Sequence, residues 1–158
     1  MVPKLAVYLL SFVFVAIYWN NHHHLLQVVD RVNGSVLWAN AHLLLWLSLT
    51  PAAAAWLGPH LGESTPVGTY GIVLLGSAIA YWLLTRCLVG ADLPESRVAQ
   101  ALGRDQKGRL SIVAYLAAVA IAAWVPWLSI AIYTAVALTW FIPDRRMERV
   151  LATSAGTD

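Results

Sequence analysis

A chain of 158 residues that is 59% apolar and 11% charged has room for one domain, and it lies far from the soluble average of about 25% charged residues. The formal charge of +2 is too small to point to nucleic acid, and the lone Cys87 excludes an intrachain disulfide framework. The charges sit in short islands, with none between Lys4 and Asp30, Arg31 and Glu63, Glu63 and Arg86, or Arg109 and Asp144. A hydrocarbon core about 30 Å thick takes roughly 20 apolar residues to cross as a helix, and these gaps supply that length repeatedly. The fold class is therefore all-α: a polytopic membrane helix bundle forming a single domain over 1–150, with the lipid bilayer as its first partner.

Five spans follow in chain order. The first covers about 3–27, where Pro3 suits a helix start because its missing N–H would be unpaired there anyway. A turn at Asp30–Gly34 leads to the second, about 35–57, which stops at Gly58-Pro59. The third opens after Pro66 and runs over about 67–89. A polar loop, Asp92–Gly108, follows. The remaining apolar run, Leu110–Pro143, is 34 residues long, and as one helix it would measure about 51 Å, too long for a single crossing. Trp124-Val125-Pro126-Trp127 divides it into spans of about 109–125 and 127–142, with paired tryptophans suited to the membrane interface. No secretory signal is evident: only Lys4 precedes the first apolar stretch, which is too long for an h-region.

Nine of the ten basic residues fall on one side of this topology: Arg31, Arg86, Arg97, Arg104, Lys107, Arg109, Arg145, Arg146 and Arg149. The positive-inside rule makes that side cytoplasmic. The C-terminus and its short tail, 151–158, are then inside, and Met1 is outside. An external N-terminus with no leader is what the loss of one preceding helix would produce.

Trp19, His22 and Asn40 form the most informative cluster. His22 and Asn40 each lie about five residues from the cytoplasmic turn on antiparallel spans, at a depth of roughly 8 Å. Polar groups at that depth rarely face lipid, so the expectation is an interhelical polar network facing protein. Asn21 and His24 are expected to tolerate replacement better than Asn40. His22-His23-His24 does not make a metal site, because consecutive helical residues point about 100° apart. A haem held between His22 and His42 is a weaker reading still, and no cofactor is expected. Val67-Gly68-Thr69-Tyr70-Gly71 has the composition of a potassium filter in the wrong order, and its glycines fit close helix approach better. No nucleophile–base pair or intramembrane carboxylate pair occurs, so an enzyme is not expected.

The runs Tyr8-Leu9-Leu10-Ser11-Phe12 and Trp19-Asn20-Asn21-His22-His23-His24-Leu25-Leu26 resemble the second helix of the endolysosomal and bacterial potassium channels of the transmembrane protein 175 family. Trp38-Ala39-Asn40 with Leu49-Thr50-Pro51 is similar to that family's third helix, and Val125-Pro126-Trp127-Leu128 with Trp140-Phe141-Ile142-Pro143 to its last hairpin. The resemblance implies a bacterial inner-membrane protein, potassium ions as the permeant species, and a homo-oligomer around a central pore. It also implies that residues like Trp19, His22 and Asn40 brace a first, pore-lining helix bearing Arg-x-x-x-Phe-Ser-Asp, a motif that does not occur in this sequence. The expectation is a potassium-selective channel subunit lacking that helix, with a non-conducting membrane scaffold of the same family as the rival.

Overall fold

The computed structural model describes residues 2–27, 32–91 and 106–141. These form five α-helices: α1 (Val2–Gln27), α2 (Gly34–Leu57), α3 (Ser64–Ala91), α4 (Gln106–Ile121) and α5 (Pro126–Phe141). No strand occurs among the described residues. Arg31, Arg97, Arg104, Arg145, Arg146 and Arg149 of the charge count lie outside them, as do most of the Asp92–Gly108 loop and the tail 151–158.

Local chemistry explains the helix ends. Asn33, extended at φ −114° and ψ 176°, caps α2 by accepting the Val36 N–H on its side chain at 3.1 Å. Pro66 falls inside the first turn of α3 and Pro126 is the first residue of α5, positions where a missing N–H costs no helical hydrogen bond. Gly62 makes the turn before α3 at φ +94°, where a side chain would be strained and would also press on the Trp127 indole.

By length and composition α2 and α3 can each cross a membrane, and α5 carries a shorter apolar stretch, Pro126–Trp140. Neighbouring helices run up and down. Ser64 Oγ donates to Ala123 O at 3.3 Å, pairing the start of α3 with the turn after α4, and Ser129 Oγ donates to Ala118 O at 2.7 Å between α5 and α4. α1 and α5 run parallel to α3: Phe14 and then Tyr18 meet Tyr70 and then Tyr81, and Tyr133 and then Trp140 meet Val67 and then Tyr81.

α3 is the axis of the bundle. Val67, Tyr70, Leu74, Ser77, Ala80, Leu84 and Leu88 are all buried, and they recur at three- and four-residue steps that keep one face inward. One core cluster joins Phe14, Leu57, Val67, Tyr70, Leu74, Tyr115 and Tyr133; the other joins Leu25, Val36, Leu43, Tyr81, Leu84 and Leu88. The hydroxyls of Ser77, Thr85 and Thr134 bond back to carbonyls one turn earlier, so they add little polarity to their helices.

Candidate functional site: the polar face of α1 and α2

α1 shows its inner side in a seam. Ser11, Phe14, Asn21 and Leu25 are buried and Tyr18 is half-buried, at alternating steps of three and four residues. Phe14 meets Tyr70 edge-on at 6.4 Å between ring centroids, and Tyr18 meets Tyr81 at 6.0 Å. The opposite side of α1 presents Leu5, Tyr8, Phe12 and Trp19, each at least 60% exposed.

At the edge of that seam His22 Nε2 and Asn40 Oδ1 are 2.6 Å apart. An amide oxygen only accepts, so Nε2 carries the proton and the contact selects that imidazole tautomer. Both residues are half-buried, and the bond ties α1 to α2 about one and a half turns from the end of α1. Trp19 is on the outer side, 63% exposed, and lies flat on His23 with centroids 5.4 Å apart and planes 7° apart. The structure thus brings His22 and Asn40 together and places Trp19 one turn away with a different partner. The side chain of His24 lies outside the described residues.

Asn21, expected among the replaceable positions, is 9% exposed and donates from Nδ2 to Ile17 O at 2.8 Å. Its burial follows from the seam: Asn21 stands one turn from both Tyr18 and Leu25 on the inward face. Histidines 22 and 42 have different partners. His42 accepts the Trp46 Nε1–H at 3.0 Å, and it points about 200° around α2 from Asn40. Among the described residues no group of three His, Cys, Asp or Glu side chains could hold a metal ion.

Trp46 links this face to the core. Its indole lies across Gly76, where a Cβ would come within 2.4 Å of ring carbons. Gly71 is covered in the same way by Tyr133 and Val119. The Val67–Gly71 run is thereby placed in the first half of α3, as continuous helix, with Val67 O also accepting from the Tyr133 hydroxyl at 3.3 Å. Sequence reasoning missed the tyrosines behind this packing: Tyr70, Tyr115 and Tyr133 are at most 2% exposed. The available signal was the eleven-residue interval from Tyr70 to Tyr81, about three turns, which puts both on one face of α3.

Comparison with known proteins falls on the same elements. The family model for the endosomal/lysosomal potassium channel TMEM175 matches residues 1–51, which span α1 and most of α2, including Trp19, His22 and Asn40. A protein of Chryseobacterium sp. (strain P1-3) described as a potassium channel is 46% identical over 149 residues, covering 94% of this chain and 78% of its own length. A protein of Streptomyces collinus with the same description is 30% identical over 92 residues, covering 53% of this chain and 45% of its own length. No solved structure matches the chain.

Proposed function

The chain belongs to the TMEM175 potassium channel family, and on that premise we propose that it is a subunit of a potassium-selective cation channel in the bacterial inner membrane. The observation that carries this reading is the similarity to the Chryseobacterium potassium channel across 94% of the chain, core and polar face alike. The proposed arrangement is one transmembrane domain over 1–150 with five spans, N-terminus outside and C-terminus with its tail 151–158 inside. The nine basic residues on one side support that orientation.

The chain works as a homo-oligomer. Supporting this, the outer sides of α1 and α2 combine large exposed apolar residues, such as Phe12, Leu44 and Leu45, with the exposed residues His42 and Ser48, whose side chains bond within α2. Polar groups at membrane depth rarely face lipid, so protein is the better cover. Rotational symmetry around a central pathway gives each subunit the same cover. In this reading the His22–Asn40 bond holds α1 and α2 in the register that the pore-side contacts require.

The test is cation flux through liposomes holding the purified chain. Potassium flux above that of protein-free liposomes, and above sodium flux under the same gradient, would support the channel reading for the chain as it stands. Flux equal to the protein-free control would favour the rival reading, a non-conducting scaffold of the same family.

A further inference from the structure

Most of α3 is closed in by its neighbours, but one stripe of the helix is open. Ile72, Ile79 and Leu83 are each more than a third exposed, and the exposed Arg86 continues their line. Steps of seven, four and three residues keep all four on one side of α3. Gly76 turns toward Trp46 of α2, and Gly68 and Gly71 turn toward Ala122 and Val119 of α4. The stripe therefore runs in the gap between those two helices. Ser64, at the other end of α3, is tied to Ala123 beside the turn between α4 and α5. Arg86 lies about 33 Å along the helix from it, slightly more than a hydrocarbon core of about 30 Å. That places the guanidinium at the level of the lipid headgroups, at the end of the bundle where α4 starts with Lys107 and Arg109.

Arg86 is held but not neutralised. Its guanidinium carbon stands 5.2 Å from the centre of the Trp82 ring, one turn earlier, a cation–π contact that fixes the side chain. It makes no hydrogen bond or ion pair with another described residue, and the one carboxylate among them, Glu63, stands at the opposite end of α3. A guanidinium matches a phosphate group with two parallel N–H donors, and basic side chains at a membrane surface attract anionic lipid. From Arg86 back to Ile79 is about 10 Å along the helix, within the roughly 15 Å depth of one leaflet's hydrocarbon. We propose that this stripe is a binding site for one anionic phospholipid, with the phosphate on Arg86 and an acyl chain along Leu83 and Ile79 between α2 and α4. A second copy of the chain fits less well, because the apolar faces described here would cover the guanidinium without supplying an anion. The inference rests on the bundle spanning a bilayer and is independent of conduction.

The test is thermal unfolding of the purified full chain in detergent micelles carrying either phosphatidylglycerol or phosphatidylcholine with the same acyl chains. Phosphatidylglycerol is expected to raise Tm by about 3 °C or more above phosphatidylcholine. Arg86→Gln should abolish that difference while keeping the Tm in phosphatidylcholine, since the side chain is exposed. Arg109→Gln, which removes an exposed cation at the same end of the bundle, should leave the difference intact. Equal losses in the two variants would overturn the site in favour of diffuse attraction between basic residues and anionic lipid. Two further arms probe the chain and the cover. Glycerol 3-phosphate, a soluble phosphate without acyl chains, should not stabilise the chain; a full effect from it would remove the apolar stripe from the site. Leu83→Ser should weaken the phosphatidylglycerol effect at constant detergent-corrected mass, and a fall in mass instead would give the stripe to a second copy. A phosphatidylglycerol effect without potassium flux would leave this site standing and count only against the channel reading.

Discussion

α3 and the outer face of α1 and α2 draw on the same apolar residue types and end in opposite environments. Of the most apolar window of each span, 56% is buried in α3 and 22% in α2. The inward surface of α3 is rich in small residues, with Gly71, Gly76, Ser77, Ala78 and Ala80, whereas the outward surface of α2 carries Leu37, Trp38, Leu44 and Leu45. In water the large side chains would be driven inside. Lipid tails are as apolar as leucine, so helices there associate through close packing and hydrogen bonds, which small residues permit. Residue size and hydroxyl placement, more than hydrophobicity, separate inside from outside in this bundle.

The contrast is broken most severely at the α3 glycines. A methyl at Gly71 would sit 2.0 Å from the Tyr133 hydroxyl oxygen and 2.8 Å from a Val119 methyl, and one at Gly76 would meet the Trp46 ring at 2.4 Å. Tyr133 is anchored by its bond to Val67 O and Trp46 by its bond to His42, so neither ring yields freely. Gly71→Ala is expected to lose about 3 kcal/mol and Gly76→Ala about 2 kcal/mol in unfolding from detergent micelles. Gly90, with nothing within 4 Å of an added Cβ, is the control, and Gly90→Ala should be neutral or gain up to about 1 kcal/mol. Equal behaviour at Gly71 and Gly90 would mean that α3 does not make these contacts.

A smaller effect is expected where the two regions join. His22→Ala and Asn40→Ala should each cost about 1–2 kcal/mol, with a coupling of about 0.6–1.7 kcal/mol in the double-mutant cycle, the range of interhelical hydrogen bonds in membranes. The 2.6 Å bond predicts that coupling; additive losses would show that the two side chains act apart.

The helices were legible because charges and prolines punctuate them: Glu63, Arg86 and Arg109 bracket apolar runs, and Pro126 divides the last one. The approach of His22 to Asn40 was legible from their similar distance to the turn that joins two antiparallel helices. The phase of each helix was harder to read. α2 and α3 are apolar around their whole circumference, so periodicity gives little direction, and the inward set of α3 needed its tyrosines and glycines to be read as packing pieces. α1 did carry a phase, in Ser11, Phe14, Tyr18, Asn21 and Leu25, and Asn21, grouped with the replaceable positions, lies on that inward face. Trp19 was grouped with His22 and Asn40, but a residue three before His22 on a helix can still turn toward its own neighbour at i+4, as Trp19 does toward His23.

Trp19 gives the smallest effect on the single chain and the sharpest view of the outer face. At 63% exposure its main described contact is the stack on His23, four residues along the same helix. Pairs of that kind contribute about 0.2–0.5 kcal/mol, so Trp19→Ala should leave the unfolding midpoint of dilute, micelle-dispersed chain almost unchanged. A large indole on the outside of α1 has more to lose where another subunit covers it, because aromatic anchors carry much of an interface's binding energy. Trp19→Ala is therefore expected to reduce the oligomeric fraction, read as detergent-corrected mass across a concentration series, by more than it changes stability. A loss of about 1 kcal/mol or more in the dispersed chain, with the mass distribution unaltered, would place Trp19 in the intrachain packing of α1 and remove it from the subunit surface.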